Sequence, residues 1–483
     1  MGGGVAGLAA AWELSGGEHP DPGAPRITVL ESAPRLGGPL HSEPFADRMV
    51  DVGPDGFLGR RPEAAGLCRE IGLGDQLVAI GASGASVYVR GRLRALPSGL
   101  VLGVPTRWRP VARSGVLGPF GSMRLLRDAV APRPDRRGPL GDRALGPLVA
   151  HRLGPRVVDA LVEPLVGGIH AGSVADMSTA AVLPQLLAVA SSRGGLMRSL
   201  RRATPTPAPS PEGDSTPPLF WALAGGMRSL IECLESRLCS RGVEIRTRAA
   251  AESLTRGGGD DPAWTVETAA GPVPADGLVL AVPAGVAGDL LAPHDADAAT
   301  LERTIEYGSV SAITLSYPAE GVSLPDGTGF LVPPRTPSPL AASDGGHLLL
   351  TACTFLSTKW PHLARADDVL LRVSAGRFGD RRADELDDDE LAHRVTAELS
   401  AILAMTATPT ETMVSRWHQG FPQYRVGHLL RVSGIEAAVK RLPALAVAGA
   451  AYRGVGVPAC IGSGRDAARS VLGAMGARPA APS

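Results

Sequence analysis

Apolar and polar positions change rhythm several times along this chain. Val5 to Leu14 is apolar or alanine apart from Glu13, which predicts a helix buried on nearly all sides. Ile27–Leu30 is a short apolar run ending in Glu31, as expected of a buried strand. Residues 87–100 alternate and predict strands with one wet face. From about 104 to 219 the spacing is mainly helical and closes on the proline-rich stretch Ala203–Pro211. A helix is predicted from Ala224 to about Cys239, then strands at Val243–Ile245, Trp264–Thr268 and Leu278–Val282. Between about 296 and 430 strands alternate around helices, one running from about Asp388 to Leu403. A last apolar run, Leu445–Ala448, precedes a glycine-rich turn and a final helix, and no internal repeat is visible. The pattern predicts an α/β fold of three interleaved regions. Residues 1–85, 220–295 and 431–483 form one α/β domain, 86–103 and 296–430 a mixed-sheet domain, and 104–219 a helical region with a proline-rich loop near 203–218.

The chain has 483 residues, 44% hydrophobic and 20% charged, a globular composition with ample core volume. Lys+Arg and Asp+Glu are both 48, so there is no cationic excess and nucleic acid is excluded as a general partner. Only Lys359 and Lys440 are lysines. The five cysteines form no C-x-x-C pair, and the ten histidines no H-E-x-x-H pairing, so neither a disulfide scaffold nor a metal site is predicted. The acidic run Asp384–Glu390 reads as the solvated start of a helix rather than a cation site. No apolar run approaches the length of a transmembrane helix, and glycines directly after Met1 do not resemble a signal peptide. A cytoplasmic protein is predicted, with peripheral contact between the helical region and a membrane as the open alternative.

Chemistry enters at the N-terminus. Gly2-Gly3-Gly4-Val5-Ala6-Gly7 is a G-x-G-x-x-G run opening the first helix. Such glycines allow a tight turn and let backbone N–H groups approach a pyrophosphate at the helix N-terminus. Glu31, after the second strand, is placed to accept hydrogen bonds from a ribose. Dinucleotide binding is the better reading, against a glycine-rich loop with a surface Glu. The fingerprint expects a strand before its first glycine, and only Met1 stands there; the expectation is a start internal to the natural reading frame.

Glu31-Ser32-Ala33-Pro34-Arg35-Leu36-Gly37-Gly38-Pro39-Leu40-His41-Ser42 resembles the E-x-x-x-R-x-G-G-x-x-x-S signature of FAD-binding amine-oxidase-like flavoproteins. Gly53-Pro54-Asp55-Gly56-Phe57 looks like the loop beside the flavin. Gly449 to Gly464, with Val455-Gly456-Val457 at its centre, is a second strand-to-helix turn that would set a helix N-terminus against the flavin's pyrimidine edge. Adding Leu161-Val162-Glu163-Pro164-Leu165-Val166-Gly167-Gly168-Ile169-His170-Ala171-Gly172, Pro422-Gln423-Tyr424-Arg425-Val426-Gly427-His428 and Tyr452–Pro458, the chain resembles the porphyrinogen-oxidising flavoproteins over nearly its whole length. These include protoporphyrinogen oxidase and, more similar to this chain, the coproporphyrinogen III oxidase of Gram-positive and actinobacterial haem synthesis.

The resemblance implies a Rossmann-like FAD domain of the two-dinucleotide-binding-domain type and one noncovalent FAD per chain. It implies oxygen-dependent six-electron oxidation of coproporphyrinogen III to coproporphyrin III. Protoporphyrinogen oxidation is the alternative, followed by an amine or carotenoid oxidase and, last, a flavin-free binding scaffold. Dioxygen is the implied acceptor, and ferrochelatase, next in the haem pathway, a candidate partner. The implied cofactor residues are Gly2, Gly3, Gly4, Val5, Ala6, Gly7, Glu31, Ser32, Arg35, Gly38, Pro39, Gly53, Pro54, Asp55, Gly56, Gly449, Val455, Gly456 and Val457. Ala251 is the match to a backbone that supports adenine, within a residue or two. Gly168, His170, Tyr424 and His428 are candidates for facing the substrate, each with packing as its alternative, and no catalytic base is identified. Where the eukaryotic-type enzyme holds a propionate on an Arg after Leu-Pro-(Ser/Thr)-Gly-Leu, this chain has Val101 after Leu96–Leu100, which favours the four-carboxylate substrate. Neither lysine lies near a flavin motif in sequence, unlike many amine oxidases.

Overall fold

In the computed structural model, residues 1–21, 23–129, 141–190, 195–204, 218–258, 261–340 and 346–476 are described. The proline-rich stretch from 205 to 217 lies outside them. Two parallel strand pairs form the spine of the α/β part: Thr28–Leu30 with Glu244–Arg246, and Leu278–Leu280 with Leu445–Val447. Met1 and Gly2 lie between the pairs. Gly2 N–H donates to Leu30 O at 2.7 Å, Ala281 N–H to Met1 O at 2.8 Å, and the Met1 amine to Val279 O at 2.9 Å.

The first helix, Val5–Leu14, is buried from Val5 to Trp12, as its unbroken apolar character demands. It packs against the C-terminal helix Val457–Gly476, so the two ends of the chain share one core.

A seven-stranded sheet lies beside this part. Its order is Glu411–Pro422, Tyr307–Pro318, Asp368–Ala375, Leu350–Phe355, Gly329–Leu331, Ser86–Val89, Arg92–Ala95. All neighbours are antiparallel except Gly329–Leu331 with Ser86–Val89. The alternation over 87–100 becomes a hairpin whose turn, Arg90-Gly91, has positive φ at both residues (53° and 71°), which suits a two-residue connection. Helix Asp388–Leu403 spans the predicted residues. Its acidic start is a capping box, in which Asp387 accepts from Glu390 N–H and Glu390 accepts from Asp387 N–H.

The helical layer has its own core around Val104, Leu145, Leu161 and Leu186. Val158–Gly167 is wound as a π-helix with Pro164 inside it, an irregularity that concentrates at functional positions. The helix predicted from Ala224 starts later, at Arg228, because Gly226 turns with φ 80°. Its first N–H groups go to a distant hairpin, Met227 N–H to Asp51 Oδ1 at 2.7 Å and Arg228 N–H to Ser42 Oγ at 3.1 Å. Among the described residues no helix is long and apolar enough to cross a membrane.

A buried ion pair ties the helical layer together. Arg152 Nη2 lies 3.2 Å from Asp128 Oδ1, the side chains 1% and 2% exposed, and Asp128 also accepts from Met197 N–H. Removing the cation strands a carboxylate without water, so Arg152→Ala is expected to destabilise the protein by about 3–5 kcal/mol. Denaturant melting checks this; a loss near zero would mean that Asp128 finds another partner.

Candidate active site

Two glycine-rich turns and the loop Val50–Gly56 meet where the chain ends converge. Gly2 has φ 92°, a conformation glycine adopts without cost. Gly3 N–H donates to Glu31 Oε2 at 2.7 Å and Ala33 N–H to Glu31 Oε1 at 2.7 Å. Ser32 Oγ lies 3.3 Å from the same Oε1. Glu31 therefore binds the fingerprint loop to the end of its strand while staying half-exposed. Arg35 donates to Gly38 O at 2.8 Å and holds the Gly37-Gly38-Pro39 turn, whose Gly37 N–H reaches Gly3 O.

The glycines divide by what a side chain would meet. At Gly7 a Cβ would collide with Gly2 O, at Gly53 with Pro39 O, and at Gly56 with the Trp221 carbonyl and the Trp360 ring. At Gly4, Gly38 and Gly449 nothing lies within 4 Å. Those three positions border the open cradle, and the others build it. Gly4 itself has φ −71° and ψ 174°, so its backbone requires no glycine; the space beside it does. Val5 and Ala6 are buried in the first helix, and Val457 begins the long C-terminal helix just after Val455-Gly456.

The loop Val50–Gly56 is pinned from the sheet side. Asp55 is held by Lys359 Nζ at 2.9 Å, Trp360 Nε1 at 3.0 Å and Arg372 at 3.2 Å. Burial alone would raise the Asp55 pKa, but the Lys359 and Arg372 cations and these hydrogen bonds hold it well below the usual carboxylate range. Arg372 also donates to Asp51 O and Gly53 O, and Trp417 Nε1 to Val52 O at 2.8 Å. The sequence places no lysine near a flavin motif; folding brings Lys359 onto Asp55, where an ion pair occupies it. Pro54 lies half-buried in the same loop. Lys359, Trp360, Arg372 and Trp417 carry no sequence signal for this role.

One segment connects the helical layer to the second glycine turn. Gln423 Nε2 donates to His170 O at 3.0 Å. Tyr424 O accepts from Ser178 N–H at 2.7 Å, while its hydroxyl donates to Ala450 O at 2.6 Å and accepts from Gly454 N–H at 2.8 Å. His428 Nε2 reaches Tyr452 O at 2.8 Å, and its ring stacks on Tyr424 at 3.9 Å. His170 lies 5.7 Å from Tyr424, ring centre to ring centre. All three rings are buried, in keeping with the packing alternative for each: the hydrogen bonds of Tyr424 and His428 clamp the Ala450–Gly454 loop. Gly168 differs. It is exposed, with only Leu331 Cδ2 at 4.0 Å from its Cβ position, whereas Gly167 is enclosed by the Gly172 carbonyl of its own turn and Gly172 by the Gln423 side chain.

Ala251, the residue matched to the adenine support, starts a strand paired to Thr268. The backbone beside Glu31 belongs to Arg248 and Ala249, with Ala249 N–H donating to Glu31 O at 2.8 Å. Arg248, at φ 52°, makes the turn between this backbone and the strand that begins at Ala251.

Residues 5–472 match the family described as flavin containing amine oxidoreductase. The chain belongs to this family. Among curated relatives, the coproporphyrinogen III oxidase of Mycobacterium bovis is 34% identical, covering 99% of this chain and 98% of its own. The protoporphyrinogen oxidase of Macaca fascicularis is 29% identical, with 98% of each chain covered. A crystal structure from Exiguobacterium sp., provisionally named protoporphyrinogen oxidase, superposes with TM-score 0.83 at 31% identity over 97% of both chains. A flavin cofactor follows from the family, and a side chain at Gly4, Gly38 or Gly449 would meet no atom within 4 Å.

Gly4→Val is expected to remove flavin while leaving the fold intact, since its side chain enters only the cradle; Gly7→Val is expected to disrupt the turn itself. Flavin released into the supernatant by acid precipitation, together with circular dichroism, checks both. Stoichiometric flavin in Gly4→Val would refute the assignment.

Burial lowers His170 and His428 from 6.5 to about 4, so both are neutral in the fold at neutral pH. An unfolded chain protonates them first, so their stabilising contribution is complete above pH 6.5 and is lost as pH falls toward 4. The melting temperature is expected to fall across that window, and less steeply in His170→Phe; identical slopes would contradict it.

Proposed function

We propose that this protein is a coproporphyrinogen III oxidase that binds one FAD noncovalently and passes electrons to dioxygen. The observation that carries the reading is the link through Gln423 and Tyr424. It joins the turn bearing the uncovered Gly168 to the loop that borders the flavin cradle. A flat macrocycle needs a flank without side chains beside a flavin, and this connection supports both in one site. Val101, where a propionate-binding Arg would stand, packs against the apolar helical core and offers no cation there, which supports the substrate with four carboxylates.

When bound, FAD supplies a two-electron acceptor that dioxygen can reoxidise. The residues of the chain bind and orient. The turn Gly2–Gly7 presents the first N–H groups of the helix, from Gly4 to Gly7, to the pyrophosphate, while Gly2 and Gly3 shape the turn and Glu31 keeps free acceptor capacity for the ribose. The backbone at Ala251, just after the turn at Arg248 and Ala249, supports the adenine. Asp55, already paired with Lys359 and Arg372, fixes the Gly53–Gly56 loop as a rigid wall. The clamp from Tyr424 and His428 holds Ala450–Gly454 and thereby the start of the C-terminal helix. Cys460 is buried, its thiol pushed up to about 12 by burial, which supports noncovalent attachment. Protons from the pyrrole nitrogens leave to water, since the neutral, buried His170 and His428 are not positioned at an open surface. Aromatising a porphyrinogen removes six electrons, so about three molecules of hydrogen peroxide form per porphyrin. We place the protein in the cytoplasm.

The test compares anaerobically prepared coproporphyrinogen and protoporphyrinogen, following porphyrin fluorescence and peroxide. The expected outcome is faster turnover of coproporphyrinogen with a peroxide ratio of about three. Preference for protoporphyrinogen, or oxidation of neither, would overturn the proposal.

A further inference from the structure

On the outer flank of the seven-stranded sheet, between the edge strand Arg92–Ala95 and the helices Trp108–Ser114 and Gly118–Arg124, lies an open cavity of about 670 Å3. Alternation along the hairpin determines its character. Val87 and Val89 point into the helical core, while Tyr88 and Leu93 point into the core on the opposite face of the sheet. Arg94 is in register with Val87 and Arg92 with Val89, so both guanidiniums emerge on the helical side. Arg90, from the turn, donates to the carbonyls of Gly115 and Val116 and closes one wall. Arg94 is half-buried, and its Nε is buried without a hydrogen-bond partner.

The remaining walls are largely apolar. Trp108, Met123 and Leu126 are 43%, 65% and 55% exposed. Among the described residues no carboxylate lines the cavity, and no residue of the flavin motifs borders it. Three like charges converge on one apolar space with no carboxylate among the described lining residues, which favours entry of an anion. The volume falls in the range of small-molecule sites, in which a few convergent polar groups orient an apolar ligand.

We propose that this cavity is a second, non-catalytic site for an amphipathic polycarboxylate of the porphyrin class. Resting on the functional reading above, it holds the substrate's or product's propionates on Arg92 and Arg94 and the ring against Trp108 and Met123. Guanidinium forks pair with carboxylates in bidentate geometry, and an indole offers a flat apolar face to a macrocycle. The half-buried position of Arg94 favours a ligand that enters the cavity over a planar lipid surface that covers it.

Flavin-loaded protein is titrated with coproporphyrin III while tryptophan emission is followed. Saturable quenching is expected that is lost in Trp108→Phe and absent with the tetramethyl ester. It is weakened by about tenfold or more in Arg92→Ala/Arg94→Ala, whose fold is checked by flavin content and circular dichroism. If that double variant misfolds, Arg92→Glu, at the exposed end, is expected to weaken quenching likewise. Comparing uroporphyrin, with eight carboxylates, separates dependence on charge from dependence on ring shape, and tighter binding is expected. Quenching that survives loss of the arginines, that the ester reproduces, or that phosphatidylglycerol vesicles produce without porphyrin would overturn the proposal; the last would mark a membrane face. Turnover without Trp108-dependent quenching defeats this proposal alone. The predicted quenching without turnover defeats only the reading of the reaction.

Discussion

Gly464 rests directly on the backbone of Ala6, so closely that a Cβ would collide with the Ala6 carbonyl. This contact between the first and last helices is the constraint on which the site depends. Both helices begin at glycine-rich turns, and their close approach fixes the turns relative to each other across almost the entire chain. The small residues of Val5–Ala11 make the approach possible, because a larger side chain would separate the axes. Burial of the apolar side chains around this seam is the main favourable term available to hold it.

From that seam outward, the site is stiffened by polar groups with few alternatives. The Tyr424 hydroxyl uses both its donor and its acceptor on one loop, Ala450–Gly454. Tyr452 in that loop is anchored behind by a hydrogen bond to Glu302, which is fully buried and raised by burial to about 8, so the carboxyl is largely neutral at neutral pH. A neutral acid there avoids an isolated charge in a low-dielectric interior. The same reasoning accounts for neutral His170 and His428. The clamp works through shape and hydrogen bonds rather than net charge.

Charge is used on the other side of the cradle. Asp55 stays ionised because two cations compensate for its desolvation, and the loop it belongs to is correspondingly rigid. The chain has only two lysines, and one of them is committed to this pairing. A lysine drawn near a flavin motif by folding is therefore no sign of amine chemistry when a carboxylate already occupies it.

The sequence alone determined what depends on short-range rules. The fingerprint turn, the all-buried first helix, the capped helix from Asp388 and the strand Trp264–Thr268 follow from residue spacing and local hydrogen bonding. Tertiary structure decided which groups face the cradle, because side-chain partners far apart in the chain leave no mark in spacing. Lys359 reaches Asp55 across 304 positions, and Met227 N–H reaches Asp51 across 176. It also decided that Tyr424 and His428 turn inward to hold a loop, and that Ala249 lies beside Glu31. The left-handed conformation of Arg248 in that turn depends on the strand that packs beside it. Local pattern specifies where backbone can bend and which faces bury; only the assembled core specifies which polar atoms must satisfy one another once water is gone.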